Sequence, residues 1–86
     1  MVVKVFSKKE CPKCEAAKDF ASLTKEKGFA VEMYDIETVD GLSEAAMYSI
    51  MATPSVVLTD DLGKMVQKWK GGIPQMEELL VIGRNA

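Results

Sequence analysis

The chain is predicted to fold as one α/β domain, with helices packed on a small mixed sheet of four strands in the order β-α-β-α-β-β-α. Three observations carry that prediction. The 86 residues are 48% hydrophobic and 28% charged, which suits a single core near the lower size limit of unaided folding. A β-branched run, a stretch of helical period and a second strand-like run follow one another directly, the pattern of a βαβ unit. No repeat, low-complexity tract or Pro/Ser-rich linker interrupts residues 1–86, so they are expected to form one domain.

VVKVF at 2–6 is compact and β-branched and reads as the first strand. After it, Ala16, Ala17, Phe20, Ala21, Leu23 and Thr24 recur at three- and four-residue spacing and make one apolar helix face. Gly28 is placed to end that helix. AVEMYDI at 30–36 alternates loosely and reads as a strand, parallel to the first through a right-handed crossover. Asp40 is expected to cap a short helix whose apolar side carries Leu42, Ala45, Ala46 and Ile50. SVVLTDDLGKMVQKW at 55–69 reads as two strands joined by a turn at Asp60 to Gly63. Gly71 and Gly72 break the chain, and Pro74 suits the first turn of a last helix. Glu77 and Glu78 then sit near its positive end, and Leu79, Leu80 and Ile82 supply its apolar face. Met33, Met47 and Met65 are expected to fill the core.

A net charge of −2 disfavours a chain that holds nucleic acid through its phosphates. No apolar run approaches the ~20 residues of a membrane span, and MVVKVF is too short for a signal peptide. The expectation is a cytoplasmic monomer that binds neither nucleic acid nor membrane. In a reducing cytosol a close cysteine pair is more often catalytic or metal-binding than structural.

The two cysteines stand in CPKC, Cys11 to Cys14. Cys11 is expected at or just before the start of the first helix, with Pro12 in its first turn. Free amides and the dipole at that terminus favour an anion, hence the Cys11 thiolate. Lys8, Lys9 and Lys13 add positive charge, while Glu10 and Glu15 oppose it. Cys14 lies almost one turn further on the same face, within reach of a mixed disulfide on Cys11. A free thiol of pKa ~8.5 is only ~3% ionised at neutral pH, and a value near 7 would give about half. That is roughly a 16-fold gain in thiolate, of which weaker nucleophilicity returns about 5-fold, leaving about threefold. A depressed pKa also makes Cys11 the better leaving group when Cys14 resolves the adduct.

Other roles suit the pair less well. A structural staple would close a four-residue loop, worth roughly 2 kcal/mol against ~3 for a fifteen-residue loop. Zinc wants four ligands, and the chain offers two thiols and no histidine, which leaves only a metal held between two chains. Dithiol–disulfide exchange is the reading these residues favour.

With CPKC behind the first strand, Thr53-Pro54 before the third and the glycine pair 71–72, the chain resembles the thioredoxin superfamily over essentially its whole length. Within it, the chain looks like the small glutaredoxins and glutaredoxin-like redoxins. The resemblance implies the thioredoxin fold and a dithiol–disulfide oxidoreductase in cell redox homeostasis. It makes Cys11 the nucleophile and Cys14 the resolving thiol. It also implies a cis Pro54 beside the disulfide, leaving the Thr53 backbone to pair with an extended substrate segment. The implied partners are a disulfide-bearing protein and a reductant, either glutathione or thioredoxin reductase. No bound cofactor or metal is implied beyond glutathione as a co-substrate.

Lys8, Thr53, Gly71 and Gly72 match the family's glutathione pattern, with Pro12, Lys13 and Pro54 as further candidates for substrate contact. After Gly72 come Ile73, Pro74 and Gln75, where glutathione binders carry a polar residue and Asp. WKGGIPQMEEL at 69–79 resembles a segment of hydrogen donors to ribonucleotide reductase, which thioredoxin reductase reduces. Val2 and Val3 stand roughly where thioredoxins carry a buried acid, so Glu10 or water is expected to take the Cys14 proton.

Overall fold

A computed structural model describes residues 1–85. Its elements are β1 (Val2–Ser7), α1 (Cys14–Glu26), β2 (Ala30–Asp35), α2 (Val39–Met47), β3 (Ser55–Thr59), β4 (Met65–Trp69) and α3 (Met76–Asn85). The element order matches the sequence expectation. The sheet runs β2-β1-β3-β4, with β1 and β2 parallel and the other two pairings antiparallel. Parallel strands need a crossover, and α1 supplies it.

Strand alternation decides which side each residue serves. Val3 and Val5 of β1, with Val56 and Leu58 of β3, face a core closed by Ala17, Phe20 and Ala21 of α1 and Leu79 of α3. Phe6 and Val57 face the opposite side, against Ala45 and Tyr48 at α2 and Ile50 beyond it. Every residue of β3 is buried, because this inner strand is covered on both faces.

Several boundaries differ from the sequence expectation. The first helix starts at Cys14, with Lys13 as its N-cap, so Cys11 and Pro12 lie in a turn ahead of it. The Cys14 N–H donates to the Cys11 carbonyl at 3.1 Å, which closes that turn. The cap of α2 is Thr38, not Asp40. Thr38 is extended, and its Oγ1 accepts the Gly41 N–H at 3.0 Å, while Asp40 falls inside the first turn. With the helix starting earlier, its buried positions are Gly41 and Ala45, and Leu42 turns to solvent at 60% exposure. Ile50 lies past the helix but is still buried. Pro74 precedes α3 by two residues and is buried.

The three methionines expected in the core are surface residues. Met33 and Met65 sit on the edge strands β2 and β4, which the short chain covers only partly, and Met47 ends α2. Among the described residues no helix is long and apolar enough to cross a membrane.

Candidate active site at the Cys11–Cys14 disulfide

The C-terminal ends of β1 and β2 lie side by side, with Ser7 opposite Asp35. The chain leaves β1 there, runs through residues 8–13 and enters α1 at Cys14. In this stretch Cys11 and Cys14 form a disulfide, with their Cα atoms 5.3 Å apart. The two sulfurs differ in exposure. Cys14 is buried at 3% exposure, while Cys11 is half-buried and can be reached from solvent. Only the outer cysteine is open to a bulky disulfide substrate.

Across the sheet, β3 pairs antiparallel with β1 so that Ser55 stands opposite Phe6. The residues just ahead of Ser55 are therefore delivered to the end of β1, next to the cysteines. The Thr53–Pro54 peptide bond there is cis. A groove of about 490 Å³ runs between the two segments, lined on one side by Lys8, Cys11, Pro12 and Lys13 and on the other by Met51 and Thr53. Pro54 itself is buried. On the other side of the disulfide lies a smaller polar cavity of about 180 Å³, onto which Cys11, Cys14, Ser7 and Asp35 open.

The predicted site residues divide accordingly. Lys8, Cys11, Pro12, Lys13 and Thr53 share the groove, and Cys14 is bonded behind it. Gly71 and Gly72 are not among the residues lining the groove. Gly71, at φ +67°, instead donates its N–H to Ser55 Oγ at 3.0 Å and braces the segment carrying the cis proline. Glu10 faces the groove and does not line the cavity onto which Cys14 opens, so it is badly placed to take the Cys14 proton. Val3 is buried in the core, as is Val5.

A family model described as a thioredoxin domain matches residues 1–82. The chain belongs to the thioredoxin-domain family.

A probable thioredoxin of Archaeoglobus fulgidus is 29% identical over 84 residues, covering 84% of this chain and 92% of that protein. The structure of Fasciola hepatica thioredoxin superposes with a TM-score of 0.74 at 26% identity, covering 99% of this chain and 80% of that one. Thioredoxin 1 of Thermosipho africanus gives a TM-score of 0.76 over 99% and 92% of the two chains, and at 16% identity it bears on the fold alone. This thioredoxin-domain chain thus has the superfamily's fold and a Cys-x-x-Cys pair joined as a disulfide.

Residues that the sequence reading passed over also line the site. Met51, 91% exposed, and Ile36 give the groove an apolar rim. Asp35 reaches the cavity from β2. One signal for Asp35 was available: it ends a parallel strand, and α/β sheets gather their functional groups at the C-terminal strand ends.

Proposed function

We propose that the protein is a dithiol–disulfide oxidoreductase that reduces protein disulfides. The observation carrying this reading is the asymmetry of the pair, an accessible Cys11 in a groove ending at Thr53–Pro54 and a buried Cys14 bonded to it. The Cys11 thiolate attacks a substrate disulfide, forming a Cys11–substrate bond and releasing the other substrate sulfur as a thiolate. The Cys14 thiolate then attacks Cys11, and the second substrate sulfur leaves with the electron pair. The substrate is reduced by two electrons and the protein is left as its disulfide. Thr53 offers backbone to an extended substrate segment, and Lys8 and Lys13 favour acidic residues in it.

The reductant that regenerates the dithiol is thioredoxin reductase in preference to glutathione. Gly71 and Gly72 do not line the groove, although Gly71 adjoins its Ala52, and Ile73 to Gln75 carry neither a hydroxyl nor a carboxylate. A cytoplasmic setting accords with such a cycle.

The test is turnover of a disulfide-bearing protein such as insulin, with each reductant system in turn. Cys11→Ser is expected to abolish turnover, and Cys14→Ser to accumulate a mixed disulfide on Cys11 visible by intact mass. Full activity in Cys11→Ser would overturn the assignment of the nucleophile. Turnover of Cys14→Ser with glutathione would place the protein among monothiol glutaredoxin-type enzymes instead. Recovery of the protein as a metal-bridged dimer that loses its metal to a chelator would favour a binding module over an enzyme.

A further inference from the structure

Resolution of the mixed disulfide requires Cys14 to lose a proton, yet its sulfur is buried and the expected acceptor, Glu10, faces the other groove. Resting on the oxidoreductase reading above, we infer that Asp35 is the proton acceptor that activates Cys14, acting through the polar cavity they share. Residues 3, 5 and 7 of β1 and their partners 31, 33 and 35 of β2 point to the sheet face on which α1 packs. Asp35 therefore lies beneath the start of α1, where Cys14 is buried. The cavity of about 180 Å³ has room for several waters at roughly 30 Å³ each, enough for a relay.

The charged groups facing Asp35 are Lys8 and Lys9 from the loop after β1 and Glu15 and Lys18 from α1. The ammonium groups are donors only and cannot accept a proton. Among the described residues none of these lysines forms an ion pair with Asp35 or Glu15. Glu15 is exposed and follows Cys14 directly on the helix, so the two side chains do not face each other. Asp35 is partly buried, and its Oδ1 accepts the Glu37 N–H at 2.8 Å, which fixes the carboxylate's orientation. Glu37 in turn accepts the Lys9 N–H at 3.3 Å, tying the loop after β2 to the loop after β1.

In the step assigned to Asp35, the Cys14 S–H proton passes through cavity water to the carboxylate. The thiolate attacks Cys11 Sγ, the Cys11–substrate bond breaks, and the substrate sulfur departs as a thiolate that is protonated in solvent. When the next reductant opens the Cys11–Cys14 bond, Asp35 returns the proton to Cys14.

The experiment mixes reduced protein with dithiobis(nitrobenzoate) in a stopped-flow spectrometer. Attack by Cys11 releases the first coloured thiolate at a rate that depends on reagent concentration. Resolution by Cys14 releases the second at a rate that does not. Asp35→Asn keeps an oxygen to accept the Glu37 N–H but no longer takes a proton, and Asp35→Ser does the same with a smaller side chain. Both variants are expected to slow the second phase at least about tenfold near pH 6.5 and to converge with the wild type near pH 9, where the thiol ionises unaided. Glu15→Gln is expected to match the wild type within about twofold. Unchanged second phases in both Asp35 variants, or a loss of equal size at every pH, would overturn the assignment. A wild-type protein with no second phase even at pH 9 would instead contradict the dithiol reading itself.

Discussion

Lys4 shows how one residue can serve as core and as charge. Strand alternation puts it on the α2 face of β1, between Val2 and Phe6, where its stem runs along the sheet and its charge meets Glu44 of α2. Its ammonium lies 2.5 Å from Glu44 Oε1 and 3.6 Å from Glu32 Oε1, over the rings of Tyr34 and Tyr48. Burial alone would lower its pKa, but hydrogen bonds with Glu44 and Tyr48 outweigh that and hold it above the usual lysine range. Glu44 is pulled below its usual 4.5 by the Lys4 hydrogen bond, against the opposing effect of burial. Burial and the hydrogen bond to Glu32 raise Tyr34, which stays a neutral donor. The sign for Glu44 follows from linkage: its contribution is complete above the unfolded value and is lost as pH falls through the lower folded one. Glu44→Gln is therefore expected to cost about 1–3 kcal/mol at neutral pH by denaturant titration, with the gap narrowing below pH 4.5. A difference that is constant from pH 7 to about pH 3 would contradict the ion-pair account.

At the scale of elements, the docking of α2 on the end of β2 shapes the site side of the sheet. The Asp35 carbonyl accepts the Thr38 N–H at 3.0 Å and the Thr38 hydroxyl at 2.7 Å, and that same hydroxyl caps the helix at Gly41. A Cβ on Gly41 would overlap the Asp35 carbonyl. Gly41→Ala is therefore expected to destabilise the fold by about 2–3 kcal/mol, despite alanine's better helix propensity. A neutral or stabilising change in the denaturation midpoint would show that this contact is not tight.

The same junction explains what the sequence could not disclose. Thr38 and Asp40 are both good capping types, and only the Asp35 carbonyl, fixed by tertiary structure, selects Thr38. Leu42 looked like a core residue because its helix was started two positions late. Pro12 was expected inside a helix because X-Pro-X-Cys fits a first turn. Instead, the Cys11 carbonyl draws the Cys14 N–H into a separate turn first. Strands β1 and β3 were plain from their β-branched runs, whose burial requires no knowledge of partners. The methionines misled because hydrophobicity does not report how much of an edge strand so small a chain can cover.

For the whole molecule, the strand order delivers three distant segments to one place. The parallel β1–β2 pair brings Asp35 beneath Cys14, and the antiparallel β1–β3 pair brings Thr53 and Pro54 beside Cys11. CPKC and Thr-Pro could be read as motifs because their chemistry is local to a few residues. Asp35 could be read only as the end of a parallel strand, since its place on the cavity that Cys14 shares depends on the strand register. The fold makes the pair unequal, with Cys11 presented and Cys14 withheld. The most direct measurement is to treat the reduced protein with less than one equivalent of iodoacetamide and map the label by peptide mass. Cys11 should carry at least about ten times the label of Cys14 at neutral pH. Equal labelling, or labelling of Cys14 first, would contradict the account.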